Sequence, residues 1–252
     1  MILYGRGLKL RTMTQPYIEE FVAPDISHIV TEDDTPVDNF QSAKQQRLLV
    51  EPLYTSWSQN LPFVADANVS LFYALKQDPI VPDAFLSLGV EMPTDWSKKQ
   101  NRSYFVWEFG KAPEVCIEIV SNREGNELGK KKDLYARIGV PYYAVFDPLE
   151  QIQKQDEMNG KLLRVWGLTF GQYVELSEPF WLPTVGLGLT VWEGEFEAVT
   201  GVWLRWCNHD RQVLPTGAEG KAREFQRAEA ERQKAERLAE RLRELGINPD
   251  EV

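Results

Sequence analysis

The stretch Pro113–Pro148, PEVCIEIVSNREGNELGKKKDLYARIGVPYYAVFDP, constrains this chain more than any other part of it. Val115 to Val120 is a run of β-forming residues broken by one carboxylate, Glu118. Alternation puts Val115, Ile117 and Ile119 on one face and Cys116, Glu118 and Val120 on the other. Apolar residues on both faces are the pattern of a central strand covered on two sides, so Glu118 is expected to be buried. A buried carboxylate is costly unless it is paired, protonated or bound to a metal. The next segment predicts a helix from a cap at Asn126 to a stop at Gly139-Val140-Pro141. Leu128, Lys131, Tyr135 and Ile138 share one stripe of it, which sets Lys131 inside the apolar face while Lys130 and Lys132 point away. Glu127 lies one turn before Lys131, where the two can pair. Tyr142 to Phe146 reads as a second buried strand, closed by the Asp147-Pro148 turn. A strand, a helix and a strand in that order predict a crossover and a parallel pair.

Around this unit the chain reads as follows. Residues 1–34 are expected to be irregular, with several prolines and the acidic run Glu32-Asp33-Asp34; Met13 is an alternative start. Asn39 to about Glu51 predicts a helix that ends before Pro52. β signals follow at Phe63–Ala65, Val69–Tyr73 and Ile80–Leu86. Pro82, which cannot donate to a ladder, presents Asp83 beside irregular backbone. Asp95 to Arg102 is loop-like and basic, and Ser103–Glu108 predicts another strand. Leu162–Trp166, Tyr173–Leu176 and Leu189–Trp192 read as strands of a closing hairpin region, with Gly186 and Gly188 at a turn. From Glu219 to Leu245 the composition shifts to Ala, Glu, Arg, Lys, Gln and Leu, a helix ended by Gly246 and Pro249. Its heptad register is interrupted by Glu231, so a solvated helix or a self-association tail fits better than a stable zipper. The expected divisions are 1–34, a core over 35–205, and a charged helix over 217–246.

Composition closes off several function classes. The net charge of −10 argues against a protein that coats nucleic acid, although a local basic patch and a carboxylate metal site are compatible with it. No run approaches a membrane span and the N-terminus lacks a signal-peptide pattern, so a cytoplasmic protein without membrane association is expected. Two cysteines, Cys116 and Cys207, offer no disulfide framework. His28 and His209 lack partners at ligand spacing, which argues against zinc.

The candidate chemistry lies in Asp83, Glu118 and Lys131. Two carboxylates on neighbouring strands suit Mg²⁺, a hard cation that takes oxygen ligands and keeps several waters. A metal so held would lower the pKa of a bound water, and a lysine beside it would orient that water or meet charge developing on a phosphate. The plainer account is a structural pair between Glu118 and Lys131 that satisfies both burial costs. Asp83 has a plain account too, as a turn residue after proline. Glu127 reads equally as a first-turn dipole carboxylate. Lys98, Lys99, Arg102 and Arg123 fit a solvated basic loop as well as phosphate contacts. Trp96 and Trp107 read as packing residues rather than base-stacking platforms.

The pieces VPDAFLSL, PEVCIEIVSN and NELGKKKDLYARIGVPYYAVFDP, in that order, resemble the bacterial Uma-type restriction endonuclease family, a branch of the PD-(D/E)XK nuclease superfamily. Leu49-Val50-Glu51-Pro52-Leu53-Tyr54 looks like a subgroup signature. The resemblance implies an α/β (α+β) restriction-endonuclease-like core, with a mixed central sheet flanked by helices, followed here by the charged C-terminal helix. It implies Mg²⁺-dependent cleavage of DNA, with Mn²⁺ as a substitute. Asp83 matches the aspartate of the Pro-Asp motif and Glu118 the acidic residue of the (D/E)XK motif. The lysine expected two residues later is replaced by Val120; the branch is similar in moving that lysine onto the following helix, where Lys131 matches it. Glu127 and Glu114 match further acidic positions, and Glu51 the acidic residue of the first helix. Cutting both strands with one site per chain would favour a homodimer. The rival expectation is an inactive nuclease fold serving as a DNA-binding or assembly module that self-associates.

Overall fold

The computed structural model describes residues 39–123, 126–245 and 248. The irregular segment expected over 1–34, with Met13 and His28, and the helix stop at Gly246 and Pro249 lie outside the described residues.

The centre of the fold is a six-stranded mixed sheet. Its strands are β1 (Phe63–Asp66), β3 (Ala84–Leu88), β5 (Val115–Ile119), β6 (Tyr142–Phe146), β7 (Leu163–Thr169) and β8 (Gln172–Glu175), in the order β1-β3-β5-β6-β7-β8. β5 and β6 are the one parallel pair of this sheet, in register from Val115 opposite Tyr142 to Ile119 opposite Phe146. The crossover between them carries α3 (Lys132–Ile138), which ends on Gly139 in the left-handed region at φ 90°. All five residues of β5 are buried, as two-sided coverage requires.

The alternation read in the sequence divides the core. Val115, Ile117 and Ile119 face one apolar layer with Leu49 and Leu53 of α1 (Phe40–Thr55). The same layer takes in Leu187 and Leu189 of β10 (Leu187–Phe196) and Leu204 and Trp206 of β11 (Val199–Cys207). Those two strands and β9 (Phe180–Leu182) form a three-stranded antiparallel sheet in the order β11-β10-β9. Cys116 and Val120 face the other layer, with Tyr135 of α3, Phe85 and Tyr104. A short parallel pair, β2 (Leu71–Phe72) with β4 (Tyr104–Phe105), borders that side. The mixed sheet with flanking helices is the predicted fold class.

Several boundaries depart from the sequence reading. α1 runs through Pro52 to Thr55, because Leu48, Leu49 and Leu53 are all essentially buried and their packing holds the last turn. Ser103–Glu108 is strand only at Tyr104 and Phe105; Val106–Phe109 coils into a single helical turn, α2, released by Gly110 at φ 73°. Gly186 sits in a turn at φ 75°, whereas Gly188 is already inside β10 and pairs with Trp181 and Cys207. β9 and β11 had no separate place in the sequence reading. Both cysteines are buried free thiols.

α4 (Gly217–Glu244) is the long C-terminal helix. Thr216 caps it in a reciprocal box with Glu219, and none of its residues is buried. Arg205 of β11, itself buried, anchors its first turn through a two-pronged contact with Glu219 at 3.0 and 2.7 Å. No helix among the described residues is long and apolar enough to cross a membrane.

Candidate active site

Strand register determines what meets Glu118. β3 and β5 pair antiparallel, with Ala84 opposite Ile117 as the last rung. One step further along the same register, Asp83 stands across from Glu118. Directly opposed residues of an antiparallel pair project from the same face about 5 Å apart at Cβ, and two like charges so placed repel. Pro82, immediately before, cannot extend the ladder. The Asp83 side chain instead caps it, Oδ2 accepting the Ile119 N–H at 2.6 Å. Its Oδ1 accepts from Gln46 Nε2 at 3.3 Å.

The helical segment above this face supplies the counter-charge. Residues Glu127–Lys131 form a single π-type turn, with the Lys131 N–H reaching back five residues to the Asn126 carbonyl at 3.1 Å. Gly129 takes the backbone through φ −110°, ψ −109°, a non-helical conformation inside that turn. Wide turns of this kind insert one residue and shift the phase of the side chains that follow. From there Lys131 and Tyr135, four residues apart, project from the same helix face. Lys131 Nζ lies 2.7 Å from Glu118 Oε2, and the Tyr135 hydroxyl donates to Glu118 Oε1 at 2.7 Å. Asn126 makes no side-chain cap, contrary to the sequence expectation; its backbone is already helical, at φ −93° and ψ −6°, where a capping residue is extended.

Burial decides the electrostatics. Glu118 is 1% exposed, and its removal from water, with the Asp83 charge alongside, pushes its carboxyl from 4.5 up to about 8 against the opposing pull of Lys131 and Tyr135. For Lys131, burial works against the ammonium, but Glu118, Glu127 and Asp83 outweigh it and its pKa is raised. Burial, then the neighbouring Glu118, holds the Tyr135 hydroxyl far above the ordinary phenol value, so it remains a donor. The Lys131 side chain is 34% exposed, and on this side the cluster meets solvent.

The other residues singled out by sequence distribute unevenly. Glu127 makes no ion pair with Lys131 among the described residues; its influence there is through the field, and its Oε2 is a buried oxygen with no hydrogen-bond partner. Its backbone carbonyl accepts from Tyr143 at 2.7 Å, which fixes the π turn to β6. Glu114 lies at the far end of β5, paired with Lys111 and accepting the Leu88 N–H at 2.7 Å. Glu51 projects from the last part of α1 to the start of α4, where Oε1 accepts the Gly217 N–H at 2.8 Å. Neither carboxylate joins Asp83 and Glu118. Asp147 accepts three bonds, from Gln151, Ile152 and Gln153, as a turn residue does. Arg102 donates to the Trp96 and Ser97 carbonyls and so braces its own loop.

Sequence reading passed over two contributors. Gln46 of α1, 6% exposed, links Asp83 to Asn68, whose Nδ2 donates to Gln46 Oε1 at 3.2 Å. The signal was present: a glutamine sharing the buried side of a helix with Leu49 and Leu53 needs a polar partner. Tyr135 was placed on the apolar stripe for its ring, and its hydroxyl went unused in that reading.

Among the described residues no three His, Cys, Asp or Glu side chains group into an all-protein metal cage. The donor set nevertheless suits Mg²⁺, which binds through one or two carboxylates together with waters and substrate phosphates. Three carboxyls, of Asp83, Glu118 and Glu127, act on one ammonium, and one buried carboxyl oxygen is unpartnered. A cation would offset that surplus.

In comparisons with known proteins, the family model Uma2, described as "Putative restriction endonuclease", matches residues 21–180, well over half of the chain. No curated protein and no solved structure matches significantly.

Proposed function

This chain belongs to the Uma2 family, and on that premise we propose that it is a divalent-metal-dependent endonuclease hydrolysing DNA phosphodiester bonds. The observation that carries the reading is the juxtaposition of Asp83 and Glu118 at the mouth of two adjacent strands, with Lys131 closing on them from the solvent side. Asp83 and Glu118 would hold Mg²⁺, with Mn²⁺ as a substitute, and Glu127 lies within electrostatic reach. The ion when bound supplies a water of lowered pKa and offsets charge developing on the phosphate.

The protein's own groups do the positioning. Gln46 and the Ile119 N–H fix the Asp83 carboxylate, and Tyr135 holds one oxygen of Glu118. Lys131, a cation at neutral pH, has Nζ on the opposite oxygen, where it can also orient the attacking water or contact a phosphoryl oxygen. Its pair with Glu118 is thus both the structural solution to burial and the device that keeps an ammonium at the site.

Supercoiled plasmid incubated with Mg²⁺ tests the reading: nicking or linearisation is expected, and loss of it in Glu118→Gln and Lys131→Ala. Cleavage that survives either substitution overturns the assignment of roles. One observation favours the rival reading, an inactive nuclease fold that binds DNA or self-associates: both oxygens of Glu118 already have protein partners. Titration with Mn²⁺ separates the two, since a purely structural pair gives no heat that depends on Glu118.

A further inference from the structure

A cavity of about 320 Å³ opens on the same face of the sheet as the carboxylates, at the β1–β3 edge. Its floor is Val64, Phe85 and Tyr104, members of the apolar layer that also holds Cys116, Val120 and Tyr135. The floor is rigid: Tyr104 stacks on Phe109 at 4.2 Å and meets Phe85 edge-on at 5.3 Å, and its hydroxyl is engaged by Ser87 and the Lys111 carbonyl. The rim is Trp96, 64% exposed. This exposure is built. The Trp96 indole N–H donates to the Pro93 carbonyl at 2.7 Å, Arg102 holds the Trp96 carbonyl at 2.9 Å, and Asn101 holds the Asp95 carbonyl at 2.7 Å. With its N–H committed, the tryptophan offers the cavity only a ring face.

Of the polar residues lining this slot, Asp66, Asn101, Arg102 and Ser103, Asp66 is the one carboxylate. Asp66, at the end of β1, uses Oδ1 on the Ala67 N–H at 2.8 Å, and its second oxygen has no protein partner among the described residues. The slot is also close to the acid pair. Asp66 stands opposite Phe85, and Phe85 lies two residues along the chain from Asp83, roughly 7 Å at the strand rise. Asn68, two residues beyond Asp66, reaches Asp83 through Gln46.

We propose that this cavity receives one unstacked nucleobase of the nucleic acid held at the acid pair, and that Asp66 favours a base carrying an exocyclic amino group. The proposal rests on the nuclease reading for its ligand class. Flat apolar walls, an exposed ring and one carboxylate acceptor match a planar heterocycle with an amino edge. Cytosine presents a donor at N4 where thymine presents the O4 acceptor, which the carboxylate repels. Ring stacking accounts for the affinity and Asp66 for the preference.

The test uses the full chain in buffer without divalent metal, so that cleavage plays no part. Fluorescence anisotropy follows binding of labelled nine-nucleotide strands: oligo-deoxycytidine, oligo-deoxythymidine, and a strand of abasic residues. The cytidine strand is expected to bind about tenfold or more tightly than the abasic strand, as stacking of one base implies. It should also exceed the thymidine strand. Trp96→Ala should close the gap to the abasic strand, and Trp96→Phe, which keeps a ring but not the hydrogen bond to Pro93, should restore most of it. Asp66→Asn should remove the preference for cytidine while keeping the gap. Equal binding of cytidine and abasic strands overturns the proposal, as does a gap that persists in Trp96→Ala. Binding of free deoxycytidine monophosphate without a gap between the strands also overturns it, by making the cavity a site for free nucleotide. A wild-type protein that cuts no DNA yet shows the gap refutes the nuclease reading and leaves the cavity assigned.

Discussion

If Glu118 is a metal ligand, as proposed, a metal ion and a proton must compete for it. Burial beside Asp83 raises this carboxyl from 4.5 to about 8. In the metal-free site, then, a proton is held more tightly than on an ordinary carboxyl, because burial and the Asp83 charge both disfavour the ionised form. A cation binds the ionised form, so each ion taken up near neutral pH must expel close to one proton. Apparent affinity for Mn²⁺ or Mg²⁺ should therefore fall as pH drops below about 8, approaching tenfold per unit, a loss of roughly 2 kcal/mol between pH 8 and pH 6. Isothermal titration at three pH values in that range measures the slope. Repeating it in buffers of different ionisation enthalpy counts the protons released. Glu118→Gln, which cannot ionise, should bind more weakly at pH 8 and show no slope. A flat profile in the wild type, or ion uptake without proton release, refutes the argument that Glu118 is a ligand held protonated by its burial.

The same raised value has a consequence for stability of the metal-free protein. The folded state holds its proton more tightly than the unfolded chain does, so Glu118 contributes stability that is complete below about pH 4.5 and is lost as pH rises through about 8. Thermal unfolding in chelator should show a lower Tm at pH 8.5 than at pH 6, with the difference much reduced in Glu118→Gln. Tyr135→Phe removes the donor to Glu118 Oε1 and should cost about 1–3 kcal/mol in urea unfolding. Because that hydrogen bond favours the ionised carboxyl, the substitution should also move the metal-binding pH profile upward. Glu51→Gln should leave any cleavage unchanged, since Glu51 contacts the Gly217 N–H rather than the acid pair. Its cost should fall on the start of α4, by about 1 kcal/mol, read as faster amide exchange at Gly217 and its neighbours.

What the sequence disclosed about this site follows from which contacts are local. Burial of Glu118 was legible because two-faced apolar alternation admits no exposed position, and all of β5 is indeed buried. The placement of Lys131 was legible only in part: the stripe brought it toward the sheet, but an ordinary helix was assumed. The single π turn at Glu127–Lys131 depends on one backbone excursion at Gly129, which periodicity does not encode. Its outcome is that Lys131 bonds Glu118 across the layers, and the local pair expected with Glu127 does not form.

Long-range register was the harder part. Nothing local told Glu51 from Gln46 as the α1 residue that reaches Asp83, because which side of the helix meets β3 depends on how it packs over the sheet. Glu51 lies five residues further along the helix and therefore about 140° round it, where the start of α4 closes over that end. The carboxylate is thereby drawn to the Gly217 N–H, while Gln46, one turn earlier, lies over the mouth of β3 and bonds Asp83. A neutral amide at that position is also the better electrostatic fit: a further carboxylate beside Asp83 and Glu118 would raise Glu118 still higher and demand a second cation. The neutral Gln46 thus leaves the balance at Glu118 to burial, Asp83, Lys131 and Tyr135.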